Sequence, residues 1–376
     1  MQEEPQNSNP TQEAELVIRN SVEQATDPLT LKSVVSLGLV RSVELHLGIA
    51  TVEISTPVSP DLYPDLGNLI QNIESALMGT SLVREVKTRV DAMLPGEQAD
   101  YLKALGHLDK DDKKSPFPPS TRVIAISSGK GGVGKSSVSV NLALAIHKLG
   151  HTVGILDADI YGFSVSSMFS DISDALVLAN TVVPPRVHGI SLISAGLFAG
   201  SDQPVIWRGP MLHSALSQFL NNVAWLDPEY LVVDMPPGTG DIALSIAEML
   251  PEAEFYVVTT PQIAAEQVAQ RSALAARQLK MPVRGVIENM SYFRGDDGKK
   301  YELFGKGGGE ILADSLKVKL LGQIPLIPMI REGGDKGEPV VVSHPESEAG
   351  RAFFDLAEQI VALGPARRRR EALKIS

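Results

Sequence analysis

One short stretch constrains this chain more than any other. Residues 129–136 read GKGGVGKS and match G-x-x-x-x-G-K-[ST], the pattern of a phosphate-binding P-loop. An apolar run at 122–127 precedes the stretch, and 138–149 follows it with apolar residues at helical spacing. A strand, a glycine-rich loop and a helix are the context that this pattern requires. The sequence therefore predicts a phosphate-binding loop at the start of a helix.

The residue types in this loop suit an anion. Glycines let the backbone N–H groups approach the ligand because no Cβ stands in the way, and the start of the following helix adds further donors. Lys135 is placed to reach β- and γ-phosphates, and Ser136 to give its hydroxyl to Mg²⁺. The residues expected to bind the nucleotide here are Gly129, Lys130, Gly131, Gly132, Val133, Gly134, Lys135, Ser136 and Ser137.

Carboxylates follow two other apolar runs. Asp234 comes directly after the apolar residues at 230–233, where it can hold a water of a Mg²⁺ shell. Asp157 and Asp159 follow the apolar run at 152–156. Ligands of an open α/β sheet sit beyond the carboxyl ends of its strands, so both aspartates can face the nucleotide. Either of these two aspartates could instead be a turn or helix N-cap residue. The string MPPGTGD at 235–241 has the glycines of a mobile loop that could sense a γ-phosphate.

The rest of residues 121–364 alternates strand-like and helix-like segments. Runs that are apolar throughout indicate strands buried on both faces, as in a parallel sheet covered by helices. We therefore predict an α/β domain at 121–364 with a mostly parallel sheet flanked by helices. The apolar runs stand at 152–156, 189–194, 230–234, 254–259, 283–288 and 319–324.

A smaller α/β domain is expected ahead of it, at 12–95. Apolar and polar residues alternate on either side of Gly48, which is typical of a hairpin of half-buried strands. The predicted elements are strands at 41–47 and 50–55, a helix at 62–78 and a third strand at 83–90.

The connecting and terminal segments differ in composition from these domains. Residues 96–120 include a charged and then proline-rich stretch, which indicates a semi-rigid linker. Residues 1–11 are rich in Gln, Asn, Glu and Pro, and we expect a disordered tail. Residues 365–376 contain four consecutive arginines and form a predicted basic tail.

Composition narrows the class of protein. The formal net charge of −11 argues against a general nucleic-acid binder, whose surface would be basic. The chain has no cysteine, which excludes disulfides, thiolate metal sites and a cysteine nucleophile. The first residues lack the apolar core of a signal peptide, and no apolar run approaches the ~20 residues of a membrane span. We therefore expect a cytoplasmic protein with no nucleic-acid partner and no stable membrane anchor.

Three further details make the sequence similar to a known family. Lys130 stands inside the loop, and K-G-G-x-G-K-[ST] is the signature of the MinD/ParA-type, or deviant Walker A, NTPases. The strings at 235–241 and 287–293 (IENMSYF) resemble those of Mrp/ApbC-like iron–sulfur cluster carrier ATPases within that superfamily. Residues 26–95 more loosely resemble the small DUF59-type domain often fused ahead of such ATPases. The resemblance implies a P-loop NTPase fold preceded by a small α/β domain.

The resemblance also implies roles for single residues. Lys130 would reach across a homodimer to the second nucleotide, much as an arginine finger does. Asp157 would lie near the Mg²⁺ shell, and Asp159 would position or activate the attacking water. Asn289 follows a strand, where its amide can read the N6 and N7 edge of adenine or close an Asx-turn. Pro325 would lie where the base pocket is closed by backbone contacts.

One segment departs from the family that the chain resembles. Cluster carriers have a Cys-x-x-Cys after the NMSYF string, where two subunits share an iron–sulfur cluster, but residues 294–305 read RGDDGKKYELFG. Cluster irons prefer thiolate or occasionally histidine, whereas Asp296, Asp297 and Glu302 are oxygen donors suited to Mg²⁺ or Ca²⁺. We expect a β-hairpin turning at Asp297 and Gly298 rather than a metal site. The seven histidines are scattered, so a cluster held by this chain's own ligands is improbable.

The leading interpretation is a homodimeric, Mg²⁺-dependent ATPase of iron–sulfur cluster assembly or transfer, with apoproteins or scaffolds as clients. The alternative is a MinD/ParA-like positioning or partitioning ATPase that cycles on a membrane or DNA surface. Residues 349–363 are amphipathic, as a surface-binding helix requires, but a terminal helix that packs on the sheet explains the pattern equally well. A third interpretation is a nucleotide-binding scaffold without turnover.

Overall fold

The computed structural model describes residues 10–106, 116–160, 162–198, 209–238, 241–295 and 297–366, with the backbone alone for 10–13, 209, 210, 241 and 263–267. The described strands are β1 (Val40–His46), β2 (Ile49–Thr56), β3 (Glu85–Ala92), β4 (Arg122–Ser128), β5 (Val153–Asp157), β6 (Leu176–Leu178), β7 (Thr181–Val183), β8 (Arg186–Val187), β9 (Ile190–Ile193), β10 (Tyr230–Asp234), β11 (Glu254–Thr259), β12 (Val283–Glu288), β13 (Phe293–Arg294), β14 (Lys300–Tyr301) and β15 (Lys319–Gln323). The described helices are α1 (Pro10–Gln24), α2 (Leu66–Met78), α3 (Pro95–Ala104), α4 (Lys135–Lys148), α5 (Gly209–Asn221), α6 (Asp241–Met249), α7 (Ile263–Gln278), α8 (Gly308–Leu316), α9 (Pro328–Lys336), α10 (Val340–Ser343) and α11 (Glu348–Ala362).

The chain forms two compact units. The first consists of the described residues within 1–114, 173–185 and 222–226, and the second of those within 115–172, 186–221 and 227–376. Of the predicted terminal segments, residues 1–9 and 367–376 lie outside the described residues, as do 107–115 of the predicted linker.

The second unit is built on an eight-stranded sheet with the order β15-β12-β11-β4-β10-β5-β9-β8. Its strands pair in parallel, except that β8 runs antiparallel to β9. Strands β4, β5, β10 and β11 are buried along their whole length, which explains the run of apolar residues inside each of them. Each of the six apolar runs overlaps a strand of this sheet. The predicted α/β fold with a mostly parallel sheet is therefore confirmed.

Helices cover both faces of this sheet. Successive side chains of a strand point to opposite faces. Ile126 of β4 belongs to the core cluster that includes Leu142 of α4 and Phe353 of α11. The next residue, Ser127, lies 3.3 Å from Ser272 of α7, Oγ to Oγ, so α7 covers the other face.

Helix α11 is the amphipathic segment of the sequence. Its apolar side chains at Phe353, Leu356 and Ile360 are fully buried in the core of the second unit. Of the two explanations that the sequence left open for the apolar face of α11, packing on the sheet is the one that the structure shows.

The first unit contains a three-stranded sheet with the order β1-β2-β3. Strands β1 and β2 form the predicted antiparallel hairpin around Gly48, whose φ of 82° lies in the left-handed region that favours glycine. Strand β3 lies parallel to β2, because α2 carries the chain back across the sheet between them. The apolar side of α2, at Leu69, Ile73 and Leu77, is fully buried.

Two short segments from the middle of the chain belong to the first unit. Strands β6 and β7 form an antiparallel hairpin, and residues 222–224 hydrogen-bond to Val182 of β7. Leu176, Leu178 and Ala224 are buried in the same cluster as the N-terminal core. The sequence prediction places these segments in the domain at 121–364, whereas their apolar side chains are buried with the first unit.

Candidate nucleotide-binding site

The parallel sheet brings the carboxyl ends of β4, β5 and β10 together. Asp234, the last residue of β10, is in register with Asp157 of β5 and with Ile126 of β4. Two of the predicted carboxylates therefore lie side by side at the edge of the sheet from which the glycine-rich loop leaves β4.

The loop between β4 and α4 has a backbone that glycine permits. Gly132 and Gly134 each have a φ of 77°, and Gly134 is the N-cap residue directly before α4. Gly129 is needed for another reason, since a Cβ there would lie 2.3 Å from the backbone nitrogen of Ala269. Helix α7 can therefore pack directly on the loop, and the loop leads into the N-terminus of a helix, where anions bind.

Asp234 joins three side chains of α4. Its Oδ2 accepts hydrogen bonds from Lys135 Nζ at 2.7 Å and Ser136 Oγ at 2.6 Å, and its Oδ1 accepts one from Ser139 Oγ at 2.6 Å. Asp234 is fully buried and the Lys135 side chain is 7% exposed, so water hardly reaches the ion pair. The structure thus brings together the lysine, the hydroxyl and the carboxylate predicted to act on phosphate and Mg²⁺. Ser139 was missed, and its only signal in the sequence is its place one helical turn after Lys135.

Asp157 is fully buried and surrounded by donors. Its Oδ1 accepts from the backbone N–H of Asp159 at 3.1 Å, and its Oδ2 accepts from the backbone of Ser164 and Val165 and from Ser194 Oγ, at 3.0–3.1 Å. Burial, and next the negative charge of the neighbouring Asp234, raise the pKa of Asp157 to about 6. These contacts show that Asp157 orders the loop after β5, and its place near a Mg²⁺ shell stays a prediction.

Asp159 and Lys130 make contacts within one subunit. Asp159 accepts a hydrogen bond from the backbone N–H of Gly162 at 3.2 Å, in a turn after β5. Lys130 Nζ donates to Oε1 of Gln262, just before α7, at 3.3 Å. Water positioning by Asp159 and a role for Lys130 across a dimer therefore stay predictions.

Asn289 contacts the glycine-rich loop itself. Its Nδ2 donates to the Val133 carbonyl at 2.8 Å, and the side chain is 7% exposed. A Cβ at Gly134 would lie 2.3 Å from this Nδ2, so the glycine makes room for the amide. Asn289 thus holds the loop, a contact that sequence analysis did not anticipate, and its role toward adenine stays a prediction. Pro325 is buried just after β15, in a segment that hydrogen-bonds back to residues 288–292.

The loop after Asp234 is tied to both neighbouring elements. The Gly238 N–H donates to the Ser128 carbonyl at 2.8 Å, and the Gly238 carbonyl accepts from Ser272 Oγ of α7 at 3.2 Å. Ser272 is another residue that sequence analysis missed. Thr239 and Gly240 lie outside the described residues.

The segment at 294–305, where the family resemblance implies a Cys-x-x-Cys, contains the predicted hairpin. Strands β13 and β14 pair antiparallel, and Asp297 supports the turn by accepting from the Lys299 N–H at 3.0 Å and the Tyr301 hydroxyl at 2.9 Å. Arg294 binds both carboxylate oxygens of Glu348 at the start of α11, at 2.8 and 2.7 Å. No group of three or more His, Cys, Asp or Glu side chains suited to a metal ion occurs among the described residues, which do not include Asp296.

A parallel sheet, a glycine-rich loop that opens α4 and a buried aspartate at the end of the adjacent strand together define a P-loop nucleotide-binding protein. A model of the family described as NUBPL iron-transfer P-loop NTPase (ParA) matches residues 120–361. The chain belongs to this family.

Individual relatives support the same assignment. An iron–sulfur cluster carrier protein of Mycobacterium leprae is 38% identical over 353 residues, which cover 91% of each chain. A protein of the same name from Synechocystis is 40% identical over 341 residues, covering 89% of this chain and 93% of that protein. The solved structure of a nucleotide-binding protein in complex with ADP from Archaeoglobus fulgidus is similar, with a TM-score of 0.52 and 32% identity over 62% of this chain and 91% of that chain.

None of the described helices combines the length and the hydropathy that a membrane span needs.

Proposed function

We propose that this protein is a Mg²⁺-dependent ATPase that works as a homodimer in iron–sulfur cluster assembly or transfer. The observation that carries the proposal is the convergence of Lys135, Ser136 and Asp234 at the start of α4. The names of the relatives support the biological role, since they are called iron–sulfur cluster carrier proteins. The similar structure in complex with ADP supports nucleotide binding.

The residues present suit this chemistry. The Ser136 hydroxyl and the Asp234 carboxylate are the hard oxygen donors that Mg²⁺ prefers, and a bound Mg²⁺ neutralises phosphate charge. Lys135 would exchange its contact with Asp234 for the β- and γ-phosphates. Asp159 would orient the attacking water, and Lys130 would extend to the nucleotide of the second subunit. Catalysis would consist of positioning and electrostatic stabilisation without a covalent step.

The first test is phosphate release from ATP in the presence of Mg²⁺. We expect turnover by the parent protein and its loss in Lys135→Ala. Lys148→Ala is a matched control, because it removes an exposed lysine from the last turn of the same helix, and it should leave the rate unchanged. Equal rates in the parent and in Lys135→Ala would contradict the proposal.

The second test concerns the cluster. Because the chain has no cysteine, the proposal has the cluster held by a client or scaffold protein while this chain supplies the ATPase. Anaerobic reconstitution of the isolated chain with iron and sulfide should give no stoichiometric cluster. A scaffold protein loaded with a cluster should transfer it to an apoprotein faster when this chain and ATP are added. Stoichiometric cluster on the isolated chain, or no acceleration, would contradict this part of the proposal.

A positioning ATPase that cycles on a membrane has less support. A membrane-bound cycle needs an amphipathic end, and the described contacts of the apolar face of α11, at Phe353, Leu356 and Ile360, lie in the core of the second unit instead. We do not propose it.

A further inference from the structure

The structure holds a buried carboxylate that the proposed chemistry does not use. Glu288, the last residue of β12, is 1% exposed. Its Oε2 accepts from the backbone N–H of Gly309 at 2.7 Å, and its Oε1 accepts from Ser291 Oγ and Gln323 Nε2, both at 2.9 Å. One side chain thus connects β12, β15 and the first turn of α8.

Among the residues that the structure describes, the partners of this carboxylate are dipoles and not a cation. None of the ion pairs found among the described residues includes Glu288. The positive end of the α8 dipole and three hydrogen-bond donors compensate its charge instead. Gly309 makes the contact possible, since a Cβ there would lie 2.7 Å from Oε2. A buried charge with this many specific partners fixes the backbone around it closely.

The residue after Glu288 is the one that contacts the P-loop. Asn289 donates from Nδ2 to the Val133 carbonyl at 2.8 Å, and its own N–H donates to the Thr259 carbonyl of β11 at 2.8 Å. Glu288 and Asn289 therefore contact opposite neighbours, α8 and β15 on one side and the nucleotide loop on the other. Because the two residues share a peptide bond, a shift of Glu288 changes where the Asn289 amide meets the loop.

We propose that Glu288 is a positioning residue for the nucleotide site and that it fixes the position of the P-loop backbone through Asn289. The inference rests on the proposed nucleotide binding. It makes the first turn of α8, which follows the β13–β14 hairpin, part of the support of the nucleotide loop.

The test compares two buried carboxylates at opposite ends of neighbouring strands, Glu254 at the start of β11 and Glu288 at the end of β12. Glu288→Gln replaces the carboxylate by an amide of the same shape. Glu254→Gln makes the same change at the start of β11, where Glu254 is 2% exposed and paired with Arg122. Binding of ADP with Mg²⁺ is measured by calorimetry, and thermal unfolding by circular dichroism. We expect both variants to unfold at lower temperature, but only Glu288→Gln to bind ADP more weakly, by about fivefold or more, since its effect is that of lost buried hydrogen bonds.

A double-variant comparison separates action through Asn289 from general damage. Asn289→Ala should weaken ADP binding, and Glu288→Gln/Asn289→Ala should bind no more weakly than Asn289→Ala alone, because coupled residues are not additive. Ser291→Ala removes one donor to Glu288 and keeps the charge, so it tests the same link if Glu288→Gln does not fold; it should weaken ADP binding to a smaller extent.

The outcomes distinguish this inference from the proposed function. If the parent protein does not bind ADP with Mg²⁺, the proposed function fails and the inference fails with it. If the parent binds ADP but Glu288→Gln binds equally well, or Glu254→Gln loses as much affinity, the inference alone is overturned. Losses that multiply in the double variant overturn it as well.

Discussion

Removal of Asp234 alone should lower the free energy of unfolding substantially, because it leaves a buried positive charge without its partner. In the parent protein the Lys135 side chain is 7% exposed and its ammonium lies 2.7 Å from the Asp234 carboxylate. In Asp234→Ala this ammonium stays buried without its counter-charge. Breaking one side of a buried pair costs about 3–5 kcal/mol of unfolding free energy. The neighbouring Asp157 carboxylate still attracts the ammonium, so we expect a value near the lower end, about 3 kcal/mol.

The reverse change, removal of Lys135, leaves buried negative charge without a counter-charge. In Lys135→Met the buried carboxylates of Asp234 and Asp157, which are in register on adjacent strands, face each other without the ammonium, and we again expect a loss of about 3 kcal/mol. In Lys135→Met/Asp234→Ala neither member of the pair remains. The double variant should therefore be more stable than the sum of the two single losses predicts, by about 2 kcal/mol or more.

Urea unfolding followed by circular dichroism in nucleotide-free buffer at pH 7 measures these differences. Ser139→Ala is the matched control, because it removes one hydrogen bond to Asp234 at 2.6 Å and no charge, and it should cost only about 1 kcal/mol. Additive losses in the double variant, or a control as damaging as Asp234→Ala, would refute the reasoning from buried charge.

Three further predictions concern other parts of the chain. Lys130→Ala should keep ADP affinity within about twofold, while the rate of phosphate release falls by about a hundredfold or more, as for loss of an arginine finger. If ADP affinity and the rate of phosphate release fell equally, Lys130 would act in nucleotide binding and not in the transition state. Arg294→Ala breaks an ion pair whose members are 41% and 32% exposed, so thermal unfolding should show a loss of at most about 1 kcal/mol, and a larger loss would make the hairpin a core element. Burial raises the pKa of Asp27 above its ordinary 3.8, so the native state binds this proton more tightly than the unfolded state does. The stability that Asp27 contributes is therefore complete below pH 3.8 and is lost as the pH rises through the raised pKa. Asp27→Asn should therefore gain in unfolding temperature relative to the parent between pH 4 and pH 7, and an unchanged difference would contradict the sign.

The sheet and the glycine-rich loop could be predicted because their signals are local. A strand buried on both faces has a run of apolar residues with polar residues only at its ends, as in β4 and β10, and the loop requires glycines within a few consecutive residues. The sequence also predicts that Lys135 and Asp234 both belong to the nucleotide site, but the contact between their side chains joins residues 99 positions apart and was not predicted.

The contacts that the sequence does not reveal join distant residues through ordinary side chains. Glu288 binds Gly309 and Gln323, and nothing in the composition of these segments indicates that they meet. Strands β6 and β7 have three residues each, too few for a periodicity to appear. The resemblance implies that Asp157 lies near the Mg²⁺ shell, but the number of donors around its carboxylate depends on Ser194, which is 37 residues away.

The polypeptide enters the first compact unit three separate times. A fragment that ends at residue 106 would lack Leu176, Leu178, Val183 and Ala224, which complete its apolar interior. A fragment that begins after it would carry the same four side chains without their cover, a surface prone to aggregation. Recombination that moved this unit with its interior intact would therefore have to transfer three stretches of sequence together.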